Sequence, residues 1–132
     1  MHKRLVVSLV VVLGAAVLAA AAPAADPMKG GIYEGELFAT SAVALPKKVR
    51  LVVAKSGTNA RVLWWCGSGR SPSTLRVEIA ADGTYKGTSN VGTLTVWAVK
   101  GKFVSAIKAR MALQLKSICD GKGGTANLVL QQ

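Results

Sequence analysis

The sequence predicts an all-β fold: an antiparallel β-sandwich or barrel of about seven to nine short strands, held by one disulfide. Alternation of apolar and polar residues with a period of two recurs at short intervals, and helical periodicity is absent after the first two dozen residues. Glycine, proline, asparagine and aspartate cluster between the alternating stretches, as they do in tight turns. No internal repeat or linker divides the chain, so we expect one domain.

The N-terminal stretch is typical of a secretory signal peptide. A basic start (His2, Lys3, Arg4) precedes an apolar run over residues 5–22, and Ala-Pro-Ala follows at 22–24. We therefore expect residues 1–24 to be cleaved on export and residues 25–132 to form a single β domain in the periplasm or outside the cell. The alternative is an uncleaved anchor, because the apolar run has about the minimum length of a membrane span.

Each predicted strand follows from its own alternation. The first stretches are 31–40, 47–55, 60–66 and 73–81. The clearest is 47–55, where Val49, Leu51 and Val53 share one face and Lys48 and Arg50 the other. In 73–81, Leu75, Val77 and Ile79 are expected to point inward in the same way.

The second half of the chain continues the pattern. The predicted strands are 84–88, 93–104, 107–119 and 125–131. Ala-Asp-Gly at 81–83 is a tight-turn signal, and Gly101 is a natural bulge site that could divide 93–104 into two strands. From Ile107 to Cys119 the apolar residues fall on one parity, which predicts that both ends of this stretch point into the core.

Two cysteines, Cys66 and Cys119, are separated by 53 positions and do not form a Cys-x-x-Cys motif. An exported chain with an even cysteine count favours one intramolecular disulfide. A tetrahedral metal site would lack ligands, and a redox-active pair would find only Arg70 and Lys122 nearby to lower a thiol pKa.

The parity of the strands places the paired tryptophans on opposite faces. If Cys119 points inward, a disulfide requires Cys66 to point inward as well, together with Trp64. Trp65 then points outward, where it is either half covered by a neighbouring loop or part of a binding face.

The mature chain is basic and contains no histidine. The full sequence has 17 Lys and Arg against 6 Asp and Glu, and removal of the leader takes away Lys3, Arg4 and the single His2. Without histidine, Ser-His-Asp and Cys-His catalysis and histidine-containing zinc sites are excluded. We expect no metal and no cofactor, and the excess of positive charge favours an anionic partner or surface.

The candidate binding residues are the basic side chains on the outward parity, together with Trp65. They are Lys48, Arg50, Arg61, Arg76, Lys108, Arg110 and Lys116. If their strands are neighbours, these charges form one positive face for an anionic polymer or a membrane surface. Nucleic acid is the least favoured partner, because no recognised binding motif is present. The alternative is a solvated surface whose lysines protect strand edges from pairing.

We therefore expect a non-catalytic binding module for an anionic partner at the cell envelope or outside the cell. The alternative is a structural or stress-protective exported domain with no defined ligand. Two further hypotheses remain. Glu34 and Glu36 share a face, as the paired carboxylates of a small hydrolase would. Arg70 lies in the loop between Cys66 and Pro72, and this loop could present it to a trypsin-like protease as an inhibitor does.

Several short motifs resemble a loose group of small exported bacterial all-β proteins with no assigned activity. They are "GIYEG" at 31–35, "VRLVVAKSG" at 49–57, "DGTYKG" at 82–87, "VKGKF" at 99–103 and "CDGKGGTANLVL" at 119–130. The resemblance covers most of the mature chain. It implies a domain of about eight strands with Cys66 joined to Cys119, and it implies no catalytic residue. The tryptophans at 64 and 65 and Met111, where glycine would be expected, depart from the group.

Overall fold

The protein is an eight-stranded antiparallel barrel in a computed structural model that describes residues 25–39, 44–67 and 71–131. The strands are β1 (Ile32–Ala39), β2 (Lys48–Val53), β3 (Asn59–Trp64), β4 (Ser73–Ile79), β5 (Thr84–Val91), β6 (Leu94–Ser105), β7 (Lys108–Leu115) and β8 (Gly124–Gln131). Each strand pairs with the next, and β1 pairs with β8 to close the ring. The predicted all-β fold with one disulfide is confirmed, and its architecture is a closed barrel.

Aromatic and aliphatic side chains fill the inside of the barrel, as they do in barrels of this strand number. Trp64 of β3 and Trp97 of β6 meet edge to face with ring centroids 5.9 Å apart. Phe103 contacts both Tyr33 and Tyr85, at centroid distances of 5.2 and 5.6 Å. Inward-pointing residues alternate with exposed ones along most strands, so the predicted period of two is observed.

The segment before β1 packs across one end of the barrel. Ala25 packs against the core and lies close to Gly83 in the turn between β4 and β5. The buried Tyr33 hydroxyl accepts a hydrogen bond from the Met28 amide and donates one to the carbonyl of Ala106. These contacts tie the segment to β1 and to the turn between β6 and β7.

The opposite end is closed by the disulfide and by a partly buried ion pair. Cys66 and Cys119 are bonded, with Cα atoms 5.8 Å apart. Beside them, the Lys47 ammonium lies 2.8 Å from the Asp120 carboxylate. The disulfide and the ion pair both join the loop between β7 and β8 to the chain around β2 and β3.

The predicted direction of Cys119 is wrong. β7 ends at Leu115, and Cys119 lies in the following loop with a φ of 57° and an exposed side chain. Cys66 is half-buried at the end of the core, so the disulfide lies at its edge. Ile107 is also 53% exposed, because it lies in the turn before β7. The parity of a strand does not extend into the loops at its ends.

β6 is one continuous strand of 12 residues, and it is not divided at Gly101. Its register is shifted elsewhere, opposite Ser89 and Asn90 of β5 and between Phe103 and Ser105. Gly101 instead provides space, since a Cβ atom there would collide with the Tyr85 ring and with the carbonyl of Arg110.

Candidate functional site

Four basic residues lie side by side on the outer face of β5, β6 and β7. Lys86 is the direct cross-strand partner of Lys100, and Lys102 is the direct partner of Arg110. Lys100 and Lys102 are two residues apart on β6 and share its outer face, so the two pairs form adjacent rows. All four side chains are exposed. We call these residues the cationic quartet.

The cationic quartet lines a groove of about 1080 Å³ on the outside of the barrel. The groove extends from β4 to β8, and its neutral polar side chains are Thr84, Thr125 and Asn127. Ala112 lies between Lys100 and Thr125 in the same row, and its short side chain leaves a depression in the surface there. Glu78, the cross-strand partner of Lys86, is the one carboxylate in the groove lining.

Two acidic side chains lie beside the quartet, Glu78 next to Lys86 and Asp82 near Lys102, but among the described residues neither forms an ion pair with it. Among the described residues, no carboxylate lies within 4.0 Å of a cationic group of the quartet, and the Glu78 carboxylate is 3.8 Å from Arg76 Nε. Asp82 is fully exposed, and hydrogen bonds from Thr84 and the charge of Lys102 lower its pKa. Like charges directly across a strand pair are destabilising by a few tenths of a kcal/mol to about 1 kcal/mol. The surface therefore carries an electrostatic cost.

The sequence prediction identified only Arg110 of the quartet. Lys86, Lys100 and Lys102 alternate with the buried Tyr85, Val99 and Phe103, so their outward direction could have been found from parity. Their grouping depends on β5, β6 and β7 being consecutive neighbours, which the alternation of single strands does not reveal.

The other predicted basic residues lie on the outside of the barrel at both sides of the quartet. Arg61 and Arg76 are direct partners on β3 and β4, and Lys108 lies two residues before Arg110 on β7. β7 is not adjacent to β2, β3 or β4 in the barrel. The basic residues predicted from the sequence therefore do not form one face by themselves. The lysines of β5 and β6 connect its two parts.

Arg50 and Trp65 form a separate contact near the start of β2. The Arg50 guanidinium lies 5.2 Å from the Trp65 ring centroid, and the Lys48 ammonium lies 6.0 Å from it. Arg50 is also paired with Glu34 at 2.6 Å. Trp65 is half-buried beside Lys48 and Arg50, two of the basic residues predicted to share its face.

Trp64 is more buried than Trp65, as the parity argument predicts. Its exposed fraction is 1%, whereas Trp65 is half-buried. The indole Nε1 of Trp64 is buried and has no hydrogen-bond partner among the described residues. The Trp64 ring packs on Trp97 at an interplanar angle of 78°, which is the arrangement of edge-to-face packing.

The structure gives no geometric support to the predicted hydrolase carboxylates or the predicted inhibitory loop. Glu34 is engaged by Arg50 and Lys48, while Glu36 is exposed on the same face. Arg70 lies outside the described residues. Within the described ranges, no group of three or more His, Cys, Asp or Glu side chains is placed to hold a metal ion. The same part of the chain contains no helix with the length and apolar character needed to cross a bilayer.

Comparison with known proteins adds no assignment. No protein-family model and no curated protein matches this chain. The inference of function therefore depends on the geometry of the groove and on the charges around it.

Proposed function

We propose that the protein is an exported, non-catalytic binding module that holds an anionic partner on the cationic quartet. The observation that carries the proposal is the direct pairing of Lys86 with Lys100 and of Lys102 with Arg110 in one groove. An anionic ligand would offset the mutual repulsion of these charges, and its contacts with both pairs would add to its affinity.

Closure of the barrel supports this proposal over a purely protective role for the lysines. Lysine on an exposed strand edge prevents pairing with other chains. Each of the eight described strands pairs with two neighbours, but β4 and β5 pair only at Glu78 with Lys86 and at Ile79 with Tyr85. All four residues of the quartet lie at paired positions rather than on a free edge. Lys86, Lys100 and Lys102 also lie in the middle of the sheet, on strands with a neighbour on each side.

Export is supported by the disulfide and by the leader-like N terminus. Disulfides form and persist in oxidising compartments, and the Cys66–Cys119 bond is consistent with one. The expected signal peptide, residues 1–24, lies outside the described residues. Export would bring the groove to the envelope or the exterior, where anionic polymers and membrane surfaces are available.

A matched pair of variants tests the proposal. Lys86→Glu with Lys100→Glu removes one cation pair, and Lys29→Glu with Lys55→Glu makes the same charge change at two exposed lysines near the β2–β3 turn. The β2–β3 turn is across the ring from β6 and β7. Retention on an acidic polysaccharide resin is measured as a function of salt.

We expect the wild-type protein to elute later than the Lys86/Lys100 variant and to lose affinity more steeply with salt. The two substitutions remove two anion contacts and add two carboxylates to the row that already holds Glu78, so we expect roughly a tenfold or greater loss of affinity at moderate ionic strength. The Lys29/Lys55 variant should elute close to the wild type. Equal losses in both variants would mean that only net charge matters, and would contradict a localised site.

A further inference from the structure

We infer that the ligand of the groove is an acidic glycan, in which anionic groups are separated by uncharged sugar atoms. This inference rests on the proposed function and specifies its partner. It is carried by the spacing of the cation pairs, by the neutral polar groups around them, by the position of Glu78 and by the lack of an accessible aromatic ring in the groove.

The two cation pairs form two discrete anion positions. Side chains directly opposite on neighbouring strands start about 5 Å apart, so Lys86 and Lys100 can reach the same anionic group, as can Lys102 and Arg110. The rows are two residues apart along β6, which separates the two positions by about 7 Å. A volume of about 1080 Å³ gives room for an oligosaccharide rather than a single ion.

Neutral hydrogen-bonding groups flank the cations in both rows. Thr84 is the cross-strand partner of Lys102, and Asn127 is the partner of Arg110. Thr125 follows Ala112 in the other row. Hydroxyl and amide groups can both donate and accept hydrogen bonds, and they therefore suit the hydroxyl groups of a sugar.

Glu78 disfavours a polymer with an unbroken series of negative charges. It is the direct partner of Lys86, so its carboxylate lies at the end of one row of the groove. A phosphate polymer crossing this position would bring like charges together. A sugar hydroxyl could instead donate a hydrogen bond to the carboxylate.

The groove offers no aromatic surface to a nucleic-acid base. Tyr85 is the aromatic residue in its lining, but its ring is 3% exposed and its hydroxyl donates a hydrogen bond to the carbonyl of Arg110. Trp65 lies elsewhere, beneath Arg50. Single-stranded nucleic acids usually gain affinity by stacking bases on exposed aromatic side chains, and this groove cannot provide that contribution.

The test uses titration calorimetry at fixed ionic strength and compares each acidic hexasaccharide with a polyphosphate and an oligothymidylate of the same total charge. The probes are a sulfated heparin hexasaccharide, a carboxylated oligogalacturonate hexamer, a linear polyphosphate and an oligothymidylate. We expect at least one hexasaccharide to bind about tenfold more tightly than the polyphosphate and the oligonucleotide, a difference of 1.4 kcal/mol. The better hexasaccharide identifies the anionic group that the site prefers.

Two variants separate sugar recognition from general charge attraction. Thr125→Val with Asn127→Ala should weaken hexasaccharide binding about fivefold and leave polyphosphate binding unchanged, because only hydroxyl contacts are lost. Glu78→Gln should strengthen polyphosphate binding, and it should therefore reduce the ratio of glycan affinity to polyphosphate affinity. Thermal melting of each variant verifies that the barrel is folded.

The outcomes distinguish this inference from the proposed function. Equal affinity for all four probes, or tighter binding of the oligonucleotide or polyphosphate, would overturn the glycan inference while leaving an anion-binding module in place. Failure of every probe to bind would overturn both.

Discussion

The Tyr85 hydroxyl donates a hydrogen bond to the carbonyl oxygen of Arg110, 2.8 Å away, across a strand that has no side chain at that point. The strand between them is β6, and the residue is Gly101, the cross-strand partner of both Tyr85 and Met111. Burial raises the pKa of Tyr85, so its hydroxyl remains a donor at ordinary pH. This contact links the packed core to the backbone beneath the cationic quartet.

Gly101→Ala should destabilise the barrel by about 2 kcal/mol, as overpacking of a filled core does. The added Cβ would collide with the Tyr85 ring and with the Arg110 carbonyl, which is backbone and cannot rotate away. Urea unfolding measures the loss. Tyr85→Phe, which removes only the hydroxyl, should cost about 1 kcal/mol. A Gly101→Ala protein as stable as the wild type would contradict the assigned role of this glycine.

The two adjacent tryptophans should respond very differently to replacement. Trp64→Ala removes a fully buried ring that packs on Trp97, and should cost about 4 kcal/mol. Trp65→Ala removes a half-buried ring and its contacts with Arg50 and Lys48, and should cost about 1 kcal/mol. Denaturant unfolding compares them. If Trp65→Ala instead abolishes retention on acidic polysaccharide, the binding site lies at β2 rather than at the groove.

The Lys47–Asp120 pair should make stability sensitive to acid. Partial burial opposes ionisation of Asp120, but hydrogen bonds from Lys47 and from the amides of Leu45 and Lys122 prevail and lower its pKa to about 2. The unfolded value is about 4. The stabilisation is therefore fully present above about pH 4 and is lost as the pH falls towards 2.

Asp120→Asn tests this ion pair. We expect it to cost about 3 kcal/mol at pH 7, because Lys47 is 2% exposed and would keep a buried charge without its partner. The difference from the wild type should shrink below pH 4. Asp26→Asn, a change at an exposed residue, provides the control. A difference that stayed constant down to pH 2 would show that ionisation of Asp120 is not the cause.

The disulfide should stabilise the barrel mainly by restricting the unfolded chain. Cys66→Ser with Cys119→Ser opens a loop with a sequence separation of 53 and should cost about 4 kcal/mol. Because Cys119 is exposed and Cys66 only half-buried, the core should keep its packing. The near-ultraviolet circular dichroism of Trp64 and Trp97 should be retained in the absence of denaturant. Its loss would mean that the disulfide also organises the core.

Alternation predicted much of the fold because each strand has one face in the core and one in water. Val49, Leu51 and Val53 show this directly, since all three are buried in β2. The same rule failed at Ile107 and Cys119, which lie in turns where backbone direction is set locally. It also could not decide between sandwich and barrel, because closure depends on β1 pairing with β8, the strands farthest apart in the chain.

The candidate site was only partly predictable for a related reason. Parity placed Arg76 and Arg110 outside the barrel, but it contained no information on which strands lie next to each other. The pairing of Lys86 with Lys100 and of Lys102 with Arg110 is a property of register. Sequence alternation gives the face of a residue, whereas register determines its neighbours.

Amide chemical-shift mapping tests most directly whether an anionic partner binds at the cationic quartet. An isotopically labelled protein is titrated with an acidic hexasaccharide at constant salt. We expect the largest shifts at Lys86, Lys100, Lys102 and Arg110 and their neighbours in the groove, and small shifts near Trp65 and Arg50. Shifts spread evenly over all exposed lysines, or concentrated around Trp65, would contradict the claim.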